Sequence, residues 1–428
     1  MANKKHTAKN LVTDICWILA GSFIILTPYL PKNAPKLFFW LMVPFYCVLI
    51  GITYRKNTGK HIIPPTLINP YLIPFGIACL TSTVFCFTPY RSQAIFFDRY
   101  LIFLGFFWFG CFLSQSKPQA LRMISFFILI ASSIFAAGGL WDYIYVFSKY
   151  SVMIDRLWSV FGKRIDFYAF PLYLTFFIPF SFSILITSER KSLRIVSGII
   201  FCALFACLLM NGSRIALSAV IAGILLVSIL TLKKHRIIIS IFLALCITLT
   251  MAIGIHSQTL NDRLKSMLIP TEWSNRLPLY KAAIKMYAHK PIFGFGMGSF
   301  EKLLHTPDFK LPDNYPVKSE LNLHAHNTYL ELAVEMGSVG VFSFLIIFIA
   351  FFVIAIRYFI HAPPTRSPDE KAMFLGLTAT VLSMLIFAFG STIITVGLSV
   401  SAYFWLLFGT ACGSLIQRKK EEELPGHV

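Results

Sequence analysis

The sequence predicts an all-α, polytopic membrane protein with about twelve spans and one large polar loop late in the chain. Composition is the first observation: of 428 residues, 57% are hydrophobic and only 13% charged, with a mean hydropathy of +0.71. Soluble domains rarely reach such values. The second is the recurrence of apolar runs close to the ~20 residues needed to cross ~30 Å of hydrocarbon. The third is charge placement, since basic residues gather in alternate connections as the positive-inside rule requires.

The runs fall at 11–30, 37–54, 71–88, 101–114, 124–147, 167–187, 195–210, 215–232, 237–255, 339–359, 372–390 and 393–415. Residues 1–256 thus hold spans one to nine, 257–326 a large loop, and 327–428 spans ten to twelve with a short tail. The links at 211–214 and 390–392 are read as tight helical hairpins. The N-terminal lysines followed by run 11–30 imitate a signal peptide, but the run is too long for one and is read as a retained first span. With the N-terminus in the cytoplasm, twenty of the thirty-eight basic residues lie in cytoplasmic segments, and both termini are inside. That distribution makes the formal charge of +19 a matter of topology, and nucleic acid is not an expected partner. The nine cysteines all lie within apolar runs and read as small buried hydrophobes, not as disulfides or metal ligands.

The loop from Ser257 to about Leu323 has organised composition. Leu277, Tyr280, Ala283, Ile284 and Tyr287 recur at helical spacing among lysines, which predicts an amphipathic helix along the membrane interface. Pro291, Gly294, Gly296 and Gly298 then break it. The FGFGMG run has no strand before it and is read as a tight turn, not a nucleotide cradle. A loop this long in a compact protein is usually functional.

It ends on His324, His326 and Asn327. Thr328 and Glu331 have the spacing of a capping box, so the histidines sit just outside a helix start. Leu330, Ala333, Gly337 and Gly340 would share one face of that helix and permit close packing. Free amides at its start would attract an anion and disfavour a charged imidazole nearby, leaving His326 neutral, as a general base requires. Arg214, in NGSR at a hairpin tip, and Arg276, in SNRLPLY, fall on the same outer face. Each has a plain alternative: Arg214 snorkelling to the interface, Arg276 a surface charge, His326 a structural histidine. His324 reads as a neighbour orienting His326 or the substrate, and no carboxylate stands at a defensible metal-ligand spacing from it.

These residues carry a resemblance. His326-Asn327, nine residues, then Gly337-Ser338-Val339-Gly340 match the motif of the O-antigen ligase and O-antigen polymerase superfamily of bacterial envelope enzymes. Arg276, Tyr280, Pro291, Gly294 and Gly296 resemble its upstream pattern, with tyrosine where tryptophan is common, and Ser213-Arg214 fits as well. The resemblance implies a GT-C-like glycosyltransferase of the bacterial inner membrane. Its donor would be an O-antigen glycan on undecaprenyl diphosphate, and its acceptor the outer core sugar of lipid A–core, with chemistry on the periplasmic face. No cofactor or metal is implied. His326 would take the acceptor proton, Arg214 and Arg276 would hold the diphosphate, and direct attack would invert the anomeric centre. Asn327, Tyr280 and His324 would line the substrate. Arg156, Lys163 and Arg164 would meet the anionic core, or else serve as solvated loop charge. O-antigen polymerase is the alternative within the superfamily, followed by a protein O-oligosaccharyltransferase. A lipid-linked oligosaccharide flippase would need charges within its spans and repeated halves. Here Asp142 is the main charge inside a span and no internal repeat is visible.

Overall fold

The computed structural model describes residues 2–31, 33–56, 64–117, 119–150, 157, 159–165, 169–231, 273–312, 315, 323–361, 367–392 and 398–422. Its helices are α1 (Ala2–Leu26), α2 (Ala34–Lys56), α3 (Asn69–Val84), α4 (Pro89–Ser116), α5 (Ala120–Tyr150), α6 (Ala169–Thr187), α7 (Lys191–Asn211) and α8 (Arg214–Thr231). After them come α9 (Trp273–His289), the single turn α10 (Phe300–Leu303), α11 (Thr328–His361), α12 (Pro368–Phe387) and α13 (Leu398–Glu422). Nine helices among the described residues are long and apolar enough to cross a membrane. With the shorter or less fully described α2 and α3, eleven of the twelve expected spans have a helix; the run at 237–255 lies outside the described residues. Helices are the natural outcome, since each satisfies its backbone groups internally where no water is available. The chain is an all-α polytopic membrane protein.

The core is built around α6, nearly all of whose residues are buried between α12 and α7. Its fully buried rings, Phe170, Phe176, Phe177 and Tyr173, meet Phe135 of α5 and Tyr403 of α13. Helix α13 lies against α4 at backbone contact: a Cβ placed on Gly409 would stand 1.9 Å from the carbonyl oxygen of Phe107. Small residues permit this approach, which supplies dispersion contact where lipid removes the hydrophobic drive between helices. The outward faces of α3, α7 and α8 keep Ile73, Ile77, Ile195, Ile199, Ile221 and Ile229 exposed, as a lipid-facing surface should. Five described cysteines are buried, whereas Cys47 is exposed on the apolar outer face of α2.

Two connections bear on the site. Helix α7 closes on Gly212, whose φ of +65° lets its amide reach the carbonyls of Leu208 and Leu209, so α8 starts at once with Arg214. Between α5 and α6 a two-stranded hairpin pairs Ser159–Val160 with Lys163–Arg164. Asp142, buried in α5, accepts a 2.7 Å bond from the amide of Gly162 at its tip. The acidic residue that stood out within a span therefore anchors a turn.

The segment between α8 and α11 folds on itself where it is described. Leu279, Ala282, Ala283 and Met286 of α9 pack with Phe295, Phe300, Leu303, Phe309, Ala325 and Val334 into a second, smaller core. Of the expected apolar stripe of α9, Ala283 turns into this core, whereas Leu277 and Ile284 stay on the exposed side of the helix.

Candidate functional site

Helix α11 begins differently from the expected capping box. Asn327 is the cap: its Oδ1 accepts the amides of Tyr329 (3.0 Å) and Leu330 (3.1 Å), and its carbonyl accepts that of Glu331 (3.0 Å). The Thr328 amide donates to the carbonyl of Ala388 (2.9 Å), and its hydroxyl to that of Ser391 (2.8 Å). The first amides of the helix are thus all taken, so the expected anion site of free N–H groups is not present. Positive charge at this place comes from arginine.

Glu331 turns back over the preceding loop instead of its own cap. One oxygen lies 3.0 Å from Nδ1 of His324, and the other accepts the amide of Ala325 at 2.9 Å. His326 is held between this bracket and the Asn327 cap, with φ of +49°. Such a conformation is uncommon for a side chain other than glycine and persists only where the surroundings enforce it. Burial, then the Arg276 guanidinium and His324, press the His326 imidazole down to about 4, with Glu331 opposing them. It is therefore neutral at ordinary pH, for a reason other than the helix amides.

Arg276, half-buried at the start of α9, donates to the carbonyl of Gly390 at 2.7 Å. A Cβ at Gly390 would meet the Ile215 side chain at 2.7 Å, which places this glycine beside the residue that follows Arg214. The turn after α12 therefore gathers three distant segments: it receives Arg276, receives Thr328 next to His326, and lies against the α7–α8 link. From sequence it read merely as a short hairpin link, because backbone acceptors leave no residue signature. Arg214 is half-buried as the first residue of α8. Tyr280 is half-buried one turn beyond Arg276, and Tyr287 bonds Ser338 (2.6 Å). Lys163 and Arg164 are exposed on the hairpin, with Lys163 donating to the carbonyl of Tyr29. The hairpin adjoins the α7–α8 link, where Asn211 donates to the carbonyl of Leu157 at 2.7 Å. Arg156 lies outside the described residues.

The two glycine patterns of the sequence are one junction. Helix α11 breaks at Gly337, whose φ of +64° and ψ of −165° fall in a region essentially reserved for glycine. The break frees backbone groups on both sides, and the 291–296 loop takes them up. Phe295 and Gly296 donate to the carbonyls of Val334 and Glu335, both at 2.9 Å. The amides of Ser338 and Val339 donate to those of Pro291 (2.7 Å) and Ile292 (3.2 Å). Gly294 permits the contact, since a Cβ there would sit 2.5 Å from the carbonyl carbon of Glu335. Of the small residues expected on a single face, Gly337 thus serves a break in the helix. The same loop reaches α3 and α4 through Phe87 N–H to Phe295 O (2.6 Å) and Ser92 Oγ–H to Met297 O (2.8 Å).

A partly enclosed pocket of about 400 Å³, counted to its open mouth, adjoins this assembly. Arg91, Arg99, Glu301, His324, Glu331 and Glu335 contribute to its wall. Neither arginine nor Glu335 was singled out from sequence, although two acids four residues apart in an apolar helix were a readable signal. Among the described residues no cluster of histidine, cysteine or carboxylate side chains has the arrangement of a metal site.

Residues 198–345 match the family model described as O-antigen ligase. The matched segment contains Arg214, Arg276, His326 and both halves of the glycine junction. No curated protein compared with the chain matches it.

Proposed function

We propose, from the match of residues 198–345 to the family model described as O-antigen ligase, that the protein is an O-antigen ligase of the bacterial inner membrane. It transfers polymerised glycan from undecaprenyl diphosphate to the outer core sugar of lipid A–core at the periplasmic face. The observation that carries the reading is the strained, neutral His326 held beside Arg276 by residues from three separate segments. A neutral imidazole accepts the proton of the attacking hydroxyl, a contribution of roughly 10²–10⁴-fold. Arg276 and Arg214 hold the diphosphate and offset the charge that develops as it leaves, each worth roughly 10²–10³-fold. A bound diphosphate also offsets the field of Arg276 on the imidazole and raises its basicity when substrate is in place. Direct attack inverts the anomeric carbon, and the step uses no metal.

The test is the glycolipid profile of cells carrying His326→Ala at normal expression. A ligase predicts polymerised glycan stranded on undecaprenyl diphosphate with bare lipid A–core. Core capped by a single repeat would make the protein a polymerase, and an unchanged ladder would remove His326 from the chemistry.

A further inference from the structure

A proton taken up by His326 has to leave it again. Once the diphosphate departs, burial and the field of Arg276 act on the imidazole unopposed except by Glu331. A group held at about 4 keeps its proton in only about one molecule in a thousand at neutral pH. The residues lining the charged pocket described above include His324 and Glu331 but neither His326 nor Arg276. His324 stands two residues from His326, and its charge bears on that imidazole. It therefore belongs to both places.

The pocket is a chamber for water and for little else. Its interior leaves about 20 Å³ for the centres of water molecules, enough for one or two. Arg99 and the buried Tyr100 reach its wall from a π-turn at Phe96–Tyr100 of α4. Arg91 is already paired with Glu301, and Glu335 is buried within the fields of both arginines. Both oxygens of Glu331 accept hydrogen bonds, one from the Ala325 amide at 2.9 Å and the other from Nδ1 of His324 at 3.0 Å. Nδ1 is thus the protonated nitrogen of the neutral His324 ring, and Nε2 carries the free lone pair. A proton arriving on Nε2 makes an imidazolium that is already paired with a carboxylate.

We infer that His324, backed by Glu331, carries the acceptor's proton from His326 into the water of the charged pocket. The hydroxyl proton moves to His326 as the new C–O bond forms and the bond to the diphosphate breaks. It passes to Nε2 of His324, and from there to a water of the chamber and out through the open mouth. Each step moves one proton and no electrons. The groups facing the passing charge are Glu331 and Glu335 on α11, Glu301 on α10, and Arg91 and Arg99 on α4. His324 touches no reacting atom and serves only through His326. The inference rests on the reading of His326 as the base of glycan transfer.

The test is steady-state glycan transfer by the full-length protein in liposomes, from a lipid-diphosphate-linked donor. Lipid A–core and a second lipid-linked repeat are tried in turn as acceptor. His324→Asn keeps an amide donor where Nδ1 stands, so the Glu331 bracket survives. His324→Ala leaves room for a free imidazole ring. Each lowers kcat by about tenfold or more with KM for both lipids unchanged. Added imidazole restores the His324→Ala rate, whereas pyrazole, of the same shape but a far weaker base, does not. An unchanged kcat in His324→Asn would mean that the proton leaves with the diphosphate. A loss confined to KM, or equal recovery with pyrazole, would make His324 a substrate contact or a structural residue. Any of these overturns the relay and leaves the ligase reading standing. Transfer to the lipid-linked repeat alone, with the His324 effects intact, would retain the relay and sink the ligase reading.

Discussion

Arg276 and Glu331 make opposite demands on the His326 imidazole. Burial and Arg276 hold its pKa near 4, and Glu331 resists them. A general base works only unprotonated, so kcat/KM falls as pH drops through this value. Removing the negative charge with Glu331→Gln lowers the pKa further and moves the acid limb to lower pH. Removing the positive charge with Arg276→Gln moves it to higher pH. A pH–rate profile on reconstituted protein reads both displacements, and limbs that move together, or not at all, would detach these residues from the base. Glu331→Ala also deletes both bonds of the bracket, to His324 and to Ala325. We expect it to lose about tenfold or more in kcat beyond the Gln variant, since the turn at His326 then lacks one of its two supports.

Helix α11 is the element on which the site depends, and its break at Gly337 is a designed junction. Alanine there meets strain of about 1–3 kcal/mol from the backbone alone. Its Cβ would also stand 2.2 Å from the carbonyl oxygen of Ile292, so the 291–296 loop must withdraw. Gly337→Ala is expected to lower the thermal midpoint of the purified protein and to abolish activity together. An Asn327→Ala change should cost about 1 kcal/mol through the lost cap and be largely restored by Asn327→Asp. A Gly337→Ala protein with unaltered midpoint would show that the loop does not need the break. The pairing of the two glycine patterns was not legible from spacing, because it is made by backbone groups 39 and 47 residues apart in the chain. Each pattern was visible; their mutual satisfaction was not.

Across the molecule, the proposed catalytic groups come from α8, α9 and the start of α11, and the turn after α12 holds them in register. Groups that act as a unit show non-additive losses. The double variant His326→Ala/Arg276→Ala should therefore lose about as much activity as the worse single variant, measured as rate of glycan transfer. Full multiplicative loss would mean that the two act independently. The fold class and the positions of nearly all spans were readable in the amino-acid order, since apolar run length and charged punctuation are local properties that hydrocarbon enforces strongly. So were His326, Arg276 and the glycines, as residue types with a spacing. What fills the space around them was decided by packing: Asn327 as the cap, Glu331 as a bracket, the α12 turn as the meeting point, and Arg99 facing a chamber behind Tyr100. Those depend on which backbone carbonyl or side chain arrives from a distant segment, and a linear pattern does not encode that proximity. The broken helix shows the reason most plainly: glycine permits the break, but only the 291–296 loop satisfies the groups that it exposes.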